Sequence, residues 1–214
     1  MSRPLDLSVY LISDRALSGV RGLIETIEAA IAGGATVIQL RDPHAKTRML
    51  VEEARAIHAL TRRAGIPFLV NDRVDIALAS GADGVHLGQS DMTVADARAL
   101  IGPEPILGLS ITPEADLDVS DLRGVDYLGV GPVFATDTKH DAAPPISVGG
   151  LEAIAARTDI PIVAIGGLHA GNAADAIAAG AAGVAVVSAI CTSSDPEQAT
   201  RELVEIVKAT RAGR

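Results

Sequence analysis

The sequence predicts an α/β fold, a single (β/α)8 (TIM) barrel in which eight parallel strands alternate with helices. Short β-branched runs alternate with longer, alanine-rich amphipathic segments along the whole chain, as they do in successive βαβ units. The short runs are largely apolar at successive positions, which is typical of strands buried on both faces. No linker rich in proline, glycine or serine divides the 214 residues. We therefore expect one domain that spans residues 1–214.

Eight segments are predicted as strands, because each is short, apolar and rich in β-branched residues. In chain order they are Val9–Ser13, Val37–Arg41, Phe68–Val70, Gly84–Leu87, Ile106–Ser110, Tyr127–Val130, Ile162–Ile165 and Val184–Val187. Glycines such as Gly33, Gly81 and Gly180 lie just before three of these runs. A glycine there suits the left-handed conformation that ends a helix, so these positions mark helix-to-strand junctions.

The segments between the strands have the residue spacing of amphipathic helices. They are Gly19–Ala32, Thr47–Ala64, Val74–Ala79, Val94–Ile101, a weak helix near Glu114–Leu122, Leu151–Arg157, Gly171–Ala179 and Pro196–Thr210. The same alternation allows an open, doubly wound sheet as an alternative. The dinucleotide-binding form of that sheet has G-x-G-x-x-G after its first strand, where this chain has Ser13-Asp14-Arg15-Ala16-Leu17. We therefore favour the closed barrel.

The composition excludes several classes of function. The formal net charge is −9, only 2 % of the residues are aromatic and tryptophan is absent, so nucleic acid is not an expected partner. The long apolar segment Ala176–Cys191 contains Gly180 and Gly183, and a helix, a turn and a strand explain it better than a membrane span. A single cysteine and a start that lacks the pattern of a secretory signal predict a cytoplasmic protein. The sequence is also compatible with a homo-oligomer.

Polar residues that directly follow the apolar runs are the candidates for a functional site, because barrel active sites lie at the C-terminal ends of the strands. Arg41 and Lys139 are the clearest cations among them. In an acidic chain, two such cations at one rim indicate an anion-binding site. The alternative is a pair of surface salt bridges.

Asp72 and Asp91 follow the ends of two adjacent predicted strands. Two carboxylates brought together would repel each other unless a cation lay between them. Mg²⁺ suits this position, since it binds one or two carboxylates together with water and phosphate oxygens. The alternative for each aspartate is the N-cap of the helix that follows.

The turns after the last two strands have the features of a phosphate site. Gly166-Gly167 and Val187-Ser188 occupy the position where many barrels bind phosphate through backbone N–H groups; the alternative is simple turn chemistry. Two hydroxyls and an ammonium group follow the sixth strand within Thr136-x-Thr138-Lys139. The polar segment Thr136–Val148 is predicted to be a lid, with an ordinary long loop as the alternative.

His86 and Cys191 carry reactive groups but receive no chemical role. A histidine beside the core usually hydrogen-bonds a neighbour, so we assign His86 no part in proton transfer. Cys191 has no basic residue near it in the sequence and is expected to be structural.

These motifs together resemble the thiamine-phosphate synthase family, and the resemblance covers nearly the whole chain. The matching motifs are Gln39-Leu-Arg41, Asn71-Asp72, His86-Leu-Gly-Gln-Ser-Asp91, Gly131-Pro-Val-Phe-x-Thr136-x-Thr138-Lys139, Ile165-Gly-Gly167 and Val187-Ser188. The resemblance implies a TIM-barrel transferase that uses Mg²⁺ and two small phosphorylated substrates. It would condense 4-amino-2-methyl-5-hydroxymethylpyrimidine diphosphate with 4-methyl-5-(2-hydroxyethyl)thiazole phosphate, giving thiamine phosphate and diphosphate.

The resemblance also implies roles for individual residues, of which Arg41, Ser110 and Lys139 would be catalytic. Those implied to bind the pyrimidine diphosphate are Gln39, Leu40, Arg41, Asp42, Pro43, Asn71, Ser110 and Lys139. Those implied to bind the thiazole phosphate are Thr136, Asp137, Thr138, Gly167, Val187 and Ser188. Asp72 and Asp91 would bind Mg²⁺.

Two positions depart from the patterns of related proteins. Pro43 stands where members of the family often have a lysine, and Lys46 is the nearest substitute. Thr112 stands where the similar thiazole tautomerases often have a histidine, which weakens the alternative of a tautomerase. A second alternative is a non-catalytic regulator that binds thiazole phosphate. The presence of both predicted metal carboxylates and Lys139 argues against it.

Overall fold

A computed structural model of the chain describes residues 5–138 and 143–213. The strands form one closed parallel barrel in which each strand pairs with its neighbours in sequence and the last pairs with the first. The strands are β1 (Val9–Ile12), β2 (Val37–Leu40), β3 (Phe68–Asn71), β4 (Gly84–Leu87), β5 (Ile106–Ile111), β6 (Tyr127–Val130), β7 (Ile162–Ile165) and β8 (Gly183–Val186). The predicted barrel is confirmed, and the open sheet is excluded.

Helices surround the barrel and alternate with the strands. They are α1 (Leu23–Gly33), α2 (Thr47–Ala64), α3 (Val74–Ser80), α4 (Val94–Ile101), α5 (Asp116–Val119), α6 (Ser147–Ala155), α7 (Ala173–Ala178), α8 (Ser188–Cys191) and α9 (Pro196–Ala212). Within the described residues, none of these helices has both the length and the apolar character needed to cross a membrane.

Three predicted helices differ from the structure by more than two residues at one end or both. The predicted helix Gly19–Ala32 is divided, because Gly22 has φ +84° and this left-handed conformation cannot continue a helix. A short 3₁₀ turn precedes Gly22, and α1 follows it. The weak helix Glu114–Leu122 contracts to the single turn of α5. The predicted helix Leu151–Arg157 begins earlier in the structure, at Ser147. The prediction missed this first turn because it contains Gly149 and Gly150, and glycine has a low helix propensity.

Apolar side chains pack in two separate layers. The larger layer lies between the strands and the helices. The smaller one fills the inside of the barrel and consists of Leu7, Tyr10, Ile12, Val37, Leu69, Tyr127, Val163 and Ala185. Because the interior is filled with side chains, the barrel is a packed core with a site at its end rather than a channel.

Two glycines within strands make room for aromatic rings inside the barrel. A Cβ atom on Gly108 of β5 would overlap the phenol ring of Tyr127. A Cβ atom on Gly129 of β6 would lie 2.9 Å from Cε1 of His86. Glycine in the interior of a strand weakens the strand but allows such a close approach. The missing side chains therefore define the space that the two rings occupy.

We expect Gly108→Ala to lower the free energy of unfolding by about 1–3 kcal/mol, the usual cost of overfilling a packed core. The phenol of Tyr127 is fully buried and has little room to move. Gly149→Ala is the matched control, since its Cβ would lie 3.9 Å from Ser147 Oγ, its nearest neighbour. Denaturant unfolding monitored by circular dichroism measures both changes, and a Gly108→Ala variant as stable as the parent protein would contradict this account.

Candidate active site

The predicted site residues lie at one end of the barrel, because parallel strands bring all their C-terminal ends to the same rim. The residues assigned to the pyrimidine diphosphate and to Mg²⁺ lie in or after strands β2 to β5, except Lys139, which follows β6 in the sequence. The residues assigned to the thiazole phosphate follow strands β6 to β8. Neighbouring strands are paired around the barrel, so each set occupies a continuous half of the rim.

A small cavity lies inside the barrel below the rim. Its volume is about 30 Å³, and it is lined by Tyr10, Ile12, Gln39, His86, Ser110, Tyr127, Gly129, Val163, Ile165 and Ala185. This volume is on the scale of a water molecule and is too small for a substrate ring. Gln39 and Ser110 are the two lining residues that the sequence analysis assigns to substrate binding.

Five polar side chains form a continuous set of hydrogen bonds across the barrel. Gln39 Nε2 donates to Tyr10 Oη at 2.7 Å, and the hydroxyls of Tyr10 and Tyr127 lie 2.8 Å apart. His86 Nδ1 lies 2.7 Å from Tyr127 Oη, and His86 Nε2 lies 2.9 Å from Ser110 Oγ. We call Gln39, Tyr10, Tyr127, His86 and Ser110 the interior hydrogen-bond network. The prediction that His86 hydrogen-bonds a neighbour is confirmed.

Burial keeps the titratable members of this network uncharged. It lowers the pKa of His86 to about 4, against the opposing effect of Asp91. It also raises the pKa of Tyr10 and of Tyr127 well above the usual value of a phenol. The network is therefore neutral at pH 7, and its hydrogen bonds join neutral donors and acceptors.

The two tyrosines were missed by the sequence reasoning, although they carry a signal. They are the only tyrosines of the chain, and both lie in strands whose other residues are mostly aliphatic. A buried phenol usually finds a hydrogen-bond partner, so a polar contact inside the barrel could have been expected. Their pairing with each other spans 117 positions of the sequence.

Arg41 provides an uncompensated positive charge at the end of β2. It is half-buried, and its backbone N–H donates to Ser13 Oγ at 3.3 Å. Within residues 5–138 and 143–213, no carboxylate forms an ion pair with its guanidinium. Two other arginines at this rim are paired, Arg15 with Asp42 and Glu53, and Arg73 with Asp75. The salt-bridge alternative is therefore wrong for Arg41, as far as the described residues go.

Asp42 organises the turn between β2 and α2. Its carboxylate accepts hydrogen bonds from Arg15 Nε at 3.2 Å and from the backbone N–H groups of His44 and Ala45 at 3.1 and 3.0 Å. Pro43 and Lys46 are exposed in and after this turn. The carboxylate of Asp42 is thus occupied by hydrogen bonds within the protein. Contact of this segment with a diphosphate stays a prediction.

The two predicted metal ligands are not helix caps. The N-cap of α3 is Arg73 rather than Asp72. The N-cap of α4 is Thr93, whose hydroxyl accepts a hydrogen bond from the N–H of Asp96 at 3.1 Å. The capping alternative is therefore wrong for both Asp72 and Asp91.

The backbone holds both aspartates at the rim. Asp72 has φ +60°, which is uncommon for a residue with a side chain, and its N–H donates to His86 O at 2.8 Å. The Asp91 carboxylate accepts from the N–H of Gly88 at 2.7 Å. Among the described residues no group of three or more acidic, histidine or cysteine side chains is arranged to hold a metal. Two carboxylates fit Mg²⁺ only when water and phosphate oxygens complete its shell.

The loops after β6 and β7 pack closely against each other. Gly167 has φ +63°, and a Cβ atom there would lie 2.8 Å from Phe134 Cβ. The N–H of Phe134 donates to Gly166 O at 3.1 Å. In the same loop the N–H of Thr138 donates to Thr136 Oγ1 at 3.3 Å. The structure thus brings Phe134 and Ala135, which directly precede Thr136, beside the glycine turn.

The remaining residues assigned to the thiazole phosphate lie near these loops. Val187 follows β8, is half-buried and packs against the interior layer, and the exposed Ser188 begins α8, a short helix that the sequence analysis did not predict. Asp137 is exposed. Lys139 lies outside the described residues, as do positions 140–142 of the predicted lid.

The described end of the predicted lid is fixed to the loop after β6. The N–H groups of Ile146 and Ser147 donate to Pro132 O at 2.9 Å and to Val133 O at 3.1 Å. Closure of the segment over the site stays a prediction. Cys191 is buried, and burial raises the pKa of its thiol, which agrees with the predicted structural role.

Several known proteins resemble this chain in sequence, and a solved structure resembles it in fold. The family described as TMP-TENI, thiamine monophosphate synthase, matches residues 9–190. The thiamine-phosphate synthase of Xanthobacter autotrophicus is 58 % identical over 99 % of this chain and 100 % of its own length. That of Azorhizobium caulinodans is 51 % identical over the same shares. The solved structure of thiamine phosphate pyrophosphorylase from Pyrococcus furiosus is 40 % identical, with a TM-score of 0.88 over 97 % of this chain and 98 % of its own.

Proposed function

Since this chain belongs to the thiamine monophosphate synthase family, we propose that it joins a hydroxymethylpyrimidine diphosphate to a hydroxyethylthiazole phosphate with the two halves of its rim. The activity is that of a transferase, thiamine-phosphate synthase. The observation that carries the assignment of the halves is Arg41, which directly follows β2, the strand of Gln39, and has no ion pair among the described residues.

The chemistry requires little from the protein beyond charge and position. The aminopyrimidine can release diphosphate from its CH₂ group, because the ring stabilises the resulting cation by resonance. The C–O bond breaks with its electron pair on the diphosphate, and the thiazole nitrogen forms the new C–N bond. No protein nucleophile is needed. The protein accelerates this reaction by stabilising the leaving charge and by holding the two rings in line.

The half-rim of β2 to β5 is suited to the pyrimidine diphosphate. The guanidinium of Arg41 can donate paired hydrogen bonds to phosphate oxygens, and Lys139 is proposed to add a second cation on the strength of the family pattern. Gln39, Asn71 and Ser110 offer amide and hydroxyl groups to the ring. These assignments are supported by the unpaired state of Arg41 among the described residues and by the position of Ser110 above the cavity.

Asp72 and Asp91 would hold Mg²⁺ together with the diphosphate. The ion would neutralise part of the negative charge that the leaving diphosphate gains. Both residues supply hard carboxylate oxygens at one rim, and neither is used as a helix cap. The other ligands of an Mg²⁺ ion would come from water and phosphate oxygens.

The half-rim of β6 to β8 is suited to the thiazole phosphate. Glycine turns with positive φ at Gly166 and Gly167 expose backbone N–H groups that can bind phosphate oxygens. Thr136, Thr138 and Ser188 add hydroxyl donors. The close packing on Gly167 of Phe134 and Ala135, which directly precede Thr136, supports a single binding site built from these loops.

The tautomerase alternative is disfavoured. At the position where tautomerases often have a histidine, Thr112 donates its backbone N–H to Asp116 Oδ2 at 2.9 Å, and a threonine side chain is a poor acid or base at pH 7. We also propose a cytoplasmic location, supported by the single, buried and unpaired Cys191.

Release of diphosphate tests the proposed function directly. The purified protein is mixed with both substrates, with and without Mg²⁺, and each substrate alone serves as the control. We expect diphosphate and thiamine phosphate to form in equal amounts when both substrates and Mg²⁺ are present. Equal turnover after complete removal of Mg²⁺ would contradict the metal assignment, and no product under any condition would contradict the function.

A smaller effect is expected from Lys46, which stands near the position of the missing family lysine. If its ammonium group reaches the diphosphate, Lys46→Ala weakens binding of the pyrimidine diphosphate by about 1 kcal/mol, the scale of one hydrogen bond to a charged group. The double variant Pro43→Lys with Lys46→Ala should restore the affinity. Lys208→Ala, which removes an exposed charge from α9, is the control. Unchanged affinity of Lys46→Ala at low salt would show that Lys46 is only a solvated side chain.

A further inference from the structure

The interior hydrogen-bond network links two residues of the proposed pyrimidine site through three residues that have no assigned role. One end of the network is Gln39 on β2, and the other end is Ser110 on β5. The side chains of Tyr10, Tyr127 and His86 connect these two ends. Tyr10 and Tyr127 are about 1 % and 0 % exposed, and His86 is 9 % exposed. The connecting groups are therefore shielded from bulk water, and their polar atoms face one another and the water-sized cavity that they line.

With Nε2 of the Gln39 amide facing Tyr10 Oη, counting donors and acceptors gives the network a single direction. Tyr10 Oη accepts from Gln39 Nε2, and among the described residues Tyr127 is the only other partner of that hydroxyl. The O–H of Tyr10 must therefore point to Tyr127, since a buried donor without an acceptor is costly. Tyr127 Oη then accepts from Tyr10 and donates its own proton to Nδ1 of His86.

The same count fixes the tautomer of His86. A neutral imidazole that accepts at Nδ1 carries its proton on Nε2, and this proton points to Ser110 Oγ at a nitrogen-to-oxygen distance of 2.9 Å. Ser110 Oγ is thus an acceptor toward the interior. Its own O–H is left to donate toward the rim, where substrate binds.

The strands are adapted to hold this network in place. Gly108 and Gly129 leave the space that the rings of Tyr127 and His86 fill, and these two rings stack with centroids 5.4 Å apart. Tyr10 and Tyr127 also contact each other, with ring centroids 5.8 Å apart. This packing fixes the positions of the two phenol oxygens, so the hydrogen-bond partners of each hydroxyl are built into the barrel.

We propose that Tyr10, Tyr127 and His86 are positioning residues that hold the Ser110 hydroxyl as a hydrogen-bond donor, so that the site accepts a ring nitrogen of the pyrimidine at this point. The proposal rests on the proposed function for the identity of the ligand. A ring nitrogen offers a lone pair to that O–H. A ring C–H at the same place would leave the hydroxyl unpaired, and sites built to hydrogen-bond a substrate discriminate strongly against such analogues.

The tautomer of His86 can be measured without any substrate. In the ¹⁵N spectrum of labelled protein, with His86 assigned by comparison with a His86→Gln variant, we expect Nδ1 to be an acceptor-type nitrogen and Nε2 a protonated one. Tyr127→Phe removes the donor to Nδ1 and should produce a mixture of tautomers. A parent protein with the proton on Nδ1, or with both nitrogens protonated at pH 7, would overturn the proposal.

Kinetics then separate a positioning role from a merely structural one. For Tyr127→Phe we expect kcat/KM for the pyrimidine diphosphate to fall about tenfold, the scale of one lost hydrogen bond, with KM for the thiazole phosphate unchanged. Val37→Ala is the control, since it removes interior apolar packing but no hydrogen bond. An equal loss in both variants at equal stability would overturn the proposal.

Conservative replacement of His86 gives a further comparison. A glutamine side chain can accept from Tyr127 and donate to Ser110, so His86→Gln should retain more activity than His86→Phe. Binding assays use two analogues of the pyrimidine diphosphate, each with one of the two ring nitrogens replaced by C–H. One of these ring-carbon analogues should bind more weakly than the substrate to the parent protein but not to Ser110→Ala. If neither ring-carbon analogue loses affinity for the parent protein, the proposal fails. Absence of turnover in the parent protein would instead refute the proposed function, while the ¹⁵N measurement still decides the tautomer.

Discussion

Replacing Asp91 by alanine is expected to lower Mg²⁺-dependent turnover by about a hundredfold or more, the scale seen when one group that stabilises developing charge is removed. Asp91 lies at the rim, is exposed and is not a helix cap. Its carboxylate is therefore not needed to begin α4, and the variant should unfold at nearly the same denaturant concentration as the parent protein.

Asp91→Asn separates the two functions of this side chain. The carboxylate accepts a hydrogen bond from the N–H of Gly88, and an asparagine carbonyl can keep that bond while it removes the charge. We expect Asp91→Asn to be nearly as inactive as Asp91→Ala when kcat/KM is measured over a range of Mg²⁺ concentrations. Asp96→Ala, which removes the same charge from α4, is the control. Normal activity of Asp91→Ala at limiting Mg²⁺ would contradict the metal assignment.

The second large effect is expected at Arg41. A hydrogen bond to a charged group contributes about 1.5–3 kcal/mol, so Arg41→Gln should lower kcat/KM for the pyrimidine diphosphate by about tenfold to a hundredfold. Arg41→Lys keeps the charge but loses the planar pair of donors, and we expect it to restore only part of the activity.

Steady-state kinetics with each substrate varied in turn measure this effect. The control is Arg48→Gln, which removes an exposed positive charge from the nearby helix α2. A loss confined to KM for the thiazole phosphate would place Arg41 in the other half of the rim. Equal losses in Arg41→Gln and Arg48→Gln would indicate a general effect of net charge rather than a specific contact.

The barrel could be predicted from the sequence because its signals are local. Each strand is a short apolar run, and each long helix has its own periodicity, so that α2 and α4 were predicted with the bounds the structure has. Closure of the sheet followed from the number of units. The errors lie where local signals are weak, as at Gly22, which interrupts a predicted helix, and at the four-residue helix α8.

The rim residues could be predicted for the same reason, since a polar residue after an apolar run must lie at the C-terminal end of a strand. The contacts among them could not. Asp42 was assigned to the diphosphate, yet its carboxylate is held by Arg15 of the preceding loop, which no pattern in the sequence indicates. The tyrosine pair likewise depends on the inward direction of two side chains from strands that are not neighbours in the barrel.

The enclosure of both tyrosines within the barrel has a consequence for optical measurements. The chain contains no tryptophan and only two tyrosines, so its intrinsic ultraviolet fluorescence arises almost entirely from two phenols beneath the rim. The tyrosine fluorescence of an unlabelled sample therefore reports on the layer of side chains inside the barrel. Loss of its signal follows disruption of the innermost layer, whereas events confined to the outer helices are silent in this emission.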